Sequence, residues 1–416
     1  MSPISEVRHA ELNSASGSEI GTQFGTRPRI KSGDAGSLVS GTSQVWGLYI
    51  HWPFCVSKCP YCDFNSHVRE TVPETRYRDA LVTEIRTAGV RAGHPPLGSI
   101  FFGGGTPSLM DAETVAAAIA AAKQAFSAED DLEISLEANP SSVEAAKFAG
   151  FAEAGVNRVS LGIQSFDDDA LRFLGRAHDA NAARAAIETA QRAFDRVSID
   201  LIYALPNQPR ANWQSQLDEA LSLGTHHLSL YQLTIEPGTG FEGHVKRGTL
   251  TPMDEDRAAD LFEFTQERLE ASGLPAYEIS NHARPGDECR HNLVYWRGQP
   301  YAAVGAGAHG RWLDPDGWYA TAAHKKPERW LEAVEKRGDG IAETTALSHT
   351  ERAEEMLMMG LRLRQGINLS LAEAAIDQNA LRALEEDRWL TLLDGQLKLT
   401  DKGWPVANQI LAQLIR

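Results

Sequence analysis

Residues 46–64 read WGLYIHWPFCVSKCPYCDF, and the order of their parts decides the fold. The opening run, WGLYIH over 46–51, is aromatic and apolar and reads as a β-strand. Three cysteines, Cys55, Cys59 and Cys62, follow it on one tight loop. Working outward, runs of the same kind recur at GSIFF (98–102), LEISLE (132–137), NRVSLGI (157–163), RVSIDLIY (196–203) and HHLSLYQL (226–233). Helical patterns lie between them. Thr71-Val-Pro-Glu74 signals a start before Tyr77, Leu81 and Ile85 on one face, Asp111 opens an Ala-rich helix, and Ser141 opens another after Pro140. Six strand-helix units in series predict a parallel sheet with right-handed crossovers.

The unusual residues choose between an open sheet and a partial barrel. The cysteines follow the first strand, Gly103-Gly104-Gly105-Thr106-Pro107 follows the second, and Glu137 ends the third. Gln164 ends the fourth, Asp200 lies in the fifth, and Tyr231 with Gln232 ends the sixth. Chemistry contributed by many successive strand ends fits the mouth of a (β/α) barrel better than a single crevice. The expected fold is therefore α/β, a partial (β/α)6 barrel over 45–245, preceded by a Ser/Gly/Thr-rich flexible leader over 1–44. Residues 246–340 read as an extension with a helix over 253–273 and a loop-rich, aromatic stretch over 275–320. Residues 341–416 read as a C-terminal α+β domain ending in a helix and two short strands joined at Asp394-Gly395, which is winged-helix-like.

Composition narrows the partners. The chain has 416 residues, with 40 Lys plus Arg against 56 Asp plus Glu and a net charge of −16. A surface this acidic argues against general binding to phosphate backbones or anionic lipid, and no apolar stretch is long enough to span a bilayer. The expectation is a cytoplasmic protein with no nucleic-acid partner and at most peripheral membrane contact. Three of its four cysteines lie within eight residues while Cys289 is remote, which suits a reduced metal-binding cluster rather than a disulfide framework.

Three thiolates on one loop can hold three irons of a 4Fe-4S cluster and leave the fourth iron open to another ligand. The alternative is structural zinc, with His51, His67 or Cys289 as the fourth ligand. The glycine run lets backbone approach a ligand closely and is a plausible cradle for a charged small molecule, or simply a turn before the helix at Asp111.

The cysteine loop with Tyr61 before its third cysteine resembles the motif of the radical S-adenosylmethionine superfamily. With FFGGGTPS, SLEANP, SLGIQSF, LGRAHDA and IDLIYALPNQ further on, residues 46–416 resemble the oxygen-independent coproporphyrinogen III oxidase family, and within it the HemW-type haem chaperones. The oxidases have a further cysteine where this chain has Phe64, and His291-Asn292-Leu293-Val294-Tyr295-Trp296 is similar to the HNxxYW signature of the chaperone group.

The resemblance implies a 4Fe-4S cluster on Cys55, Cys59 and Cys62, with S-adenosylmethionine chelating the open iron. It places Gly104, Gly105 and Thr106 near the amino group, Glu137, Gln164, Arg176 and Asp200 at the carboxylate and ribose, and Tyr49 and Tyr61 flanking the ligand. It further implies haem, His291 as a candidate haem-side residue, and transfer of haem to an unidentified acceptor protein. Radical decarboxylation of coproporphyrinogen III, or another radical reaction, is the enzymatic alternative.

Overall fold

The computed structural model describes residues 44–416. The expected flexible leader, apart from its last residue, lies outside the described residues. Six parallel strands stand side by side in chain order: β1 (Trp46–Trp52), β2 (Pro96–Gly104), β3 (Ser127–Ala138), β4 (Arg158–Gln164), β5 (Arg196–Tyr203) and β6 (His227–Gln232). Their order never reverses, so all six carboxyl ends lie along one rim, as the partial-barrel reading requires.

Beyond this frame the sheet continues. β7 (Asn281–Ala283) pairs antiparallel with β6, and β8 (Tyr301–Val304) pairs parallel with β1. β9 (His309–Asp314), β10 (Gly317–Ala323) and β11 (Ile341–Leu347) extend that side as antiparallel strands, for eleven strands in all. The loop-rich reading of 275–320 is thus corrected: the stretch holds the helix Arg290–Trp296 as well as β7, β8 and β9. Residues 341–347, grouped by sequence with the C-terminal segment, form the edge strand of the large sheet.

The strands alternate although both their faces are covered. One parity is apolar, with Leu48, Ile50, Ile100, Phe102, Leu136, Leu161, Ile199 and Leu201 buried in one cluster with residues of the helices Glu74–Ala92 (α1) and Ala112–Ala125 (α2). The other parity is polar and meets itself across the barrel, as the contacts below show. Parallel strands covered on both faces are usually apolar throughout. A polar parity here marks an interior built for more than packing.

The C-terminal part has its own buried cluster, including Leu357, Leu361, Leu381, Leu390, Leu397, Trp404 and Leu414. The helix Gln378–Glu386 is capped by Asp377 and leads into the hairpin Leu390–Leu393 and Gln396–Leu399. Asp394 and Gly395 both have positive φ, 53° and 77°, the left-handed pair that a two-residue hairpin turn with the strand's own twist demands.

Candidate functional site

The rim where the six strands end carries the predicted side chains. Strand β1 delivers the chain to the cysteine loop, whose neck is a short parallel pairing of Phe54–Cys55 with His67–Val68. Cys55 is buried, whereas Cys59 and Cys62 are half-buried. Thr106, just past the glycine run, donates from Oγ1 to the Cys55 sulfur at 3.5 Å and from its backbone N to Phe54 O at 2.9 Å. A Cβ on Gly105 would meet the Phe54 carbonyl at 2.7 Å, so only glycine lets the run lie against the strand that leads into the cysteines.

Arg176 ties the loop to the next strands. One guanidinium nitrogen donates to the Cys59 sulfur at 3.5 Å and to Tyr61 Oη at 3.4 Å; the other donates to Asn139 Oδ1 at 2.5 Å and to the Gly162 carbonyl at 3.0 Å. Its cation therefore sits against the thiols. Burial pushes the Cys62 thiol up to about 11, with smaller contributions from the neighbouring Cys55 and Cys59, and burial also raises Cys55. Cys55 feels the charge of Cys59, and Cys62 that of both, which places the three in one electrostatic neighbourhood.

Two half-buried carboxylates lie at the same rim. Glu137 Oε2 accepts from the backbone N of Gly104 at 3.2 Å, and Asp200 accepts from Ser160 Oγ at 2.8 Å. Burial, then the charge of Asp200, raises Glu137 to about 7; burial raises Asp200 as well. Among the described residues neither has a cationic side chain in an ion pair. Gln164 ends β4 with φ of 66°, a left-handed backbone uncommon outside glycine, in the same rim.

Tyr49 lies one step below: its hydroxyl donates to His51 Nδ1 at 2.9 Å, its ring stacks on Phe101, and a Cβ on Gly103 would come within 2.8 Å of that ring. The candidate fourth zinc ligands are otherwise engaged. His51 donates through Nε2 to Asn65 O at 3.0 Å, and His67 donates through Nε2 to Lys325 O at 3.1 Å. Among the described residues no three His, Cys, Asp or Glu side chains are grouped as a single-ion site.

His291 is not at the rim. It is fully buried at the opposite end, with Nδ1 at 2.9 Å from Ser99 Oγ and Nε2 at 2.7 Å from Tyr295 Oη, and burial pushes it down to about 3. The resemblance places His291 on the haem side; in the structure both of its ring nitrogens are engaged within the core. Cys289 is equally remote from the loop, its thiol 3.5 Å from Glu133.

Asn139 is a rim residue that sequence reasoning missed. It receives Arg176 and donates to Thr106 Oγ1 at 3.4 Å, so it links the third and fourth strand ends to the glycine run. Its position in SLEANP, two residues past Glu137, was the available signal.

Comparison with known proteins gives the family. The family described as Radical SAM superfamily matches residues 49–219, and the HemN C-terminal domain matches 347–406. A protein of Haemophilus influenzae named heme chaperone HemW is 40% identical over 378 residues, covering 88% of this chain and 96% of that one. The chain belongs to the HemW-type family of radical SAM proteins. The mouse protein named radical S-adenosyl methionine domain-containing protein 1, mitochondrial, is 41% identical over 351 residues, covering 82% of this chain and 78% of its own length. Coproporphyrinogen III oxidase (HemN) of Escherichia coli shares the fold, with a TM-score of 0.74 at 23% identity over 89% of this chain and 90% of that structure.

The residues present fit the group this family implies. Three thiols share one loop, a guanidinium and a threonine hydroxyl already bond to two of them, and glycines leave the adjoining backbone open. A cluster binds each cysteine to a different iron, so it does not require the tight convergence that one zinc ion does. Among the described residues no helix is long and apolar enough to cross a membrane.

Proposed function

We propose that this protein is a haem chaperone: it binds haem and passes it to an acceptor protein, and it carries a 4Fe-4S cluster and S-adenosylmethionine at the barrel mouth. The carrying observation is the 40% identity to the Haemophilus influenzae HemW across 88% of the chain. Phe64, standing where the oxidases have a further cysteine, supports haem transfer over oxidation of coproporphyrinogen.

In this reading Cys55, Cys59 and Cys62 hold the cluster, with Arg176 offsetting part of its negative charge. When bound, the cluster supplies a one-electron donor and an open iron for the amino and carboxylate groups of S-adenosylmethionine. Glu137 and Asp200, half-buried together and without an ion-paired cation among the described residues, suit a ligand that carries a sulfonium and ribose hydroxyls. Gly104, Gly105 and Thr106 present backbone to that ligand, with Gln164, Tyr49 and Tyr61 around it. The proposed compartment is the cytoplasm, where thiols stay reduced.

The test loads the protein anaerobically and offers haem, then coproporphyrinogen III with reductant and S-adenosylmethionine. Haem retained through gel filtration, with no loss of propionate carboxylates from the porphyrinogen, is the expected result. Catalytic accumulation of the doubly decarboxylated product would replace the chaperone reading with the oxidase one.

A further inference from the structure

The cysteine loop is held at three points, and the third lies outside the six-stranded frame. Its neck is the pairing of Phe54–Cys55 with His67–Val68. Its apex, Pro60, is pinned between two glycines. A Cβ on Gly175 would lie 2.7 Å from the proline ring, one on Gly240 would lie 3.2 Å from its carbonyl, and Phe241 N donates to that carbonyl at 2.9 Å.

The exit of the loop, three residues past Cys62, is Asn65. Its side-chain Nδ2 donates to the carbonyls of Ala306 and Lys325, each at 2.9 Å. Its own carbonyl accepts from His51 Nε2 at 3.0 Å. A carbonyl only accepts, so that nitrogen carries the proton, while Nδ1 pairs with the Tyr49 hydroxyl at 2.9 Å. His51 is thus a strut under the loop.

The receiving turn is shaped to that amide. Gly307 has φ of 84°, and a Cβ there would lie 2.1 Å from Asn65 Nδ2; Gly305 has φ of 101°, and a Cβ there would lie 2.2 Å from the His51 carbonyl. Two left-handed glycines two residues apart keep this turn against the loop. Behind it, Glu84 accepts from Gly305 N at 2.8 Å, Tyr77 Oη accepts from Ala306 N at 3.3 Å, and Gly307 N donates to His324 O at 3.0 Å.

We propose that Asn65 is a positioning residue for the cluster, latching the exit of the cysteine loop to the Gly305–Gly307 turn, so that residues 301–325 belong to the cluster-holding apparatus. This rests on the reading that Cys55, Cys59 and Cys62 hold a cluster. The neck takes up the chain again at His67, and between Cys62 and that pairing it is the two side-chain bonds of Asn65, with His51 on its carbonyl, that tie the exit to strands outside the loop.

Asn65→Asp tests this, because it keeps the shape, cannot donate, and sets a carboxylate against two carbonyls. Gly307→Ala attacks the same latch from the other side, through its positive φ and the clash with Nδ2. Asn157→Asp is the control: Asn157 Nδ2 donates to Leu132 O at 2.8 Å, a comparable amide bridge far from the loop. The full-length proteins are loaded anaerobically, and iron loss to a chelator and the electron paramagnetic resonance spectrum of the reduced cluster are recorded. Asn65→Asp and Gly307→Ala should lose iron about tenfold faster than wild type, the scale of one or two hydrogen bonds, with a shifted spectrum. Asn157→Asp should match wild type in both. Wild-type rates and spectra in both latch variants, or equal loosening in Asn157→Asp, would overturn the latch while leaving the cluster reading intact. A wild-type protein that takes up no cluster would overturn both.

Discussion

The floor and the mouth of the barrel hold nearly the same kinds of side chain: cysteine, histidine, glutamate, arginine and tyrosine. At the floor every one is answered. Glu133 accepts from Arg196 at 2.7 Å and from the backbone N of Arg290 and His291 at 3.2 and 3.1 Å, and thereby caps the helix Arg290–Trp296. Burial pushes Glu133 up, but the charges of Arg158 and Arg196 and those N–H groups outweigh it and hold it below the usual carboxylate range. His291 stays neutral between Ser99 and Tyr295, and burial raises Cys289 to about 12, an inert thiol. At the mouth the balance is left open. Glu137 and Asp200 are raised together although the charge of Arg158 pulls both down, and Arg176 is committed to Cys59, Tyr61, Asn139 and Gly162. A closed network stabilises a fold; an uncompensated one has affinity to spare for a ligand of opposite charge.

The largest contrast is between thiols. Replacing Cys55, Cys59 or Cys62 singly by Ala should abolish the cluster, read as iron content and thiolate-to-iron absorption, whereas Cys289→Ala should keep it. Loss of iron in Cys289→Ala, with the other three replaceable, would reverse the assignment of the two ends.

Next in size is the pair of glutamates. Glu133→Ala leaves the buried Arg158 and the half-buried Arg196 without their carboxylate and should cost about 3–5 kcal/mol in denaturant unfolding. Glu137→Gln should act in the opposite direction. Between pH 4.5 and about 7 the folded chain keeps a proton on Glu137 that the unfolded chain has released, so wild-type stability falls as pH rises through that window and levels off above it. Glutamine removes this cost, so the variant should gain up to about 3 kcal/mol over wild type above pH 7 and nothing near pH 4. It should also bind S-adenosylmethionine more weakly, the usual exchange of stability against function at a site. A pH-independent difference between Glu137→Gln and wild type would mean that the mouth is compensated after all.

Much of this was legible beforehand because the signals are local. Each of the six strands is a short run bounded by turn residues, and the observed Arg196–Tyr203 coincides with the run RVSIDLIY. The cysteines, the glycine run, Glu137 and Asp200 come together because successive parallel strands end on one rim. What stayed hidden is what long-range pairing decides. Strand β8 joins β1 across some 250 residues, and nothing in YAAVGAGAHG announces it. The helix Arg290–Trp296 spans only seven residues and is held by Glu133 rather than by a capping side chain of its own, so its sequence carries no start signal. LEISLE alternates, yet a polar parity usually means solvent, and only the assembled partial barrel turns it inward.

The smallest expected effect bears on the haem reading. His291 lies in the stretch most similar to the chaperone signature, and it is sealed in the floor: its ring centroid is 5.2 Å from Phe101 and 6.4 Å from Tyr49, with Ser99 and Tyr295 on its two nitrogens. Phenylalanine fits nearly the same space and keeps the stacking. It removes the two side-chain partners and leaves two buried hydroxyls to find others, a cost of about 1–3 kcal/mol. If the floor is purely structural, His291→Phe lowers stability by that amount and retains haem as wild type does, measured by the Soret band after gel filtration. Selective loss of haem in a variant that unfolds at nearly the wild-type denaturant concentration would mean that the floor opens to the macrocycle, and the contrast between a sealed end and a working end would fail at His291.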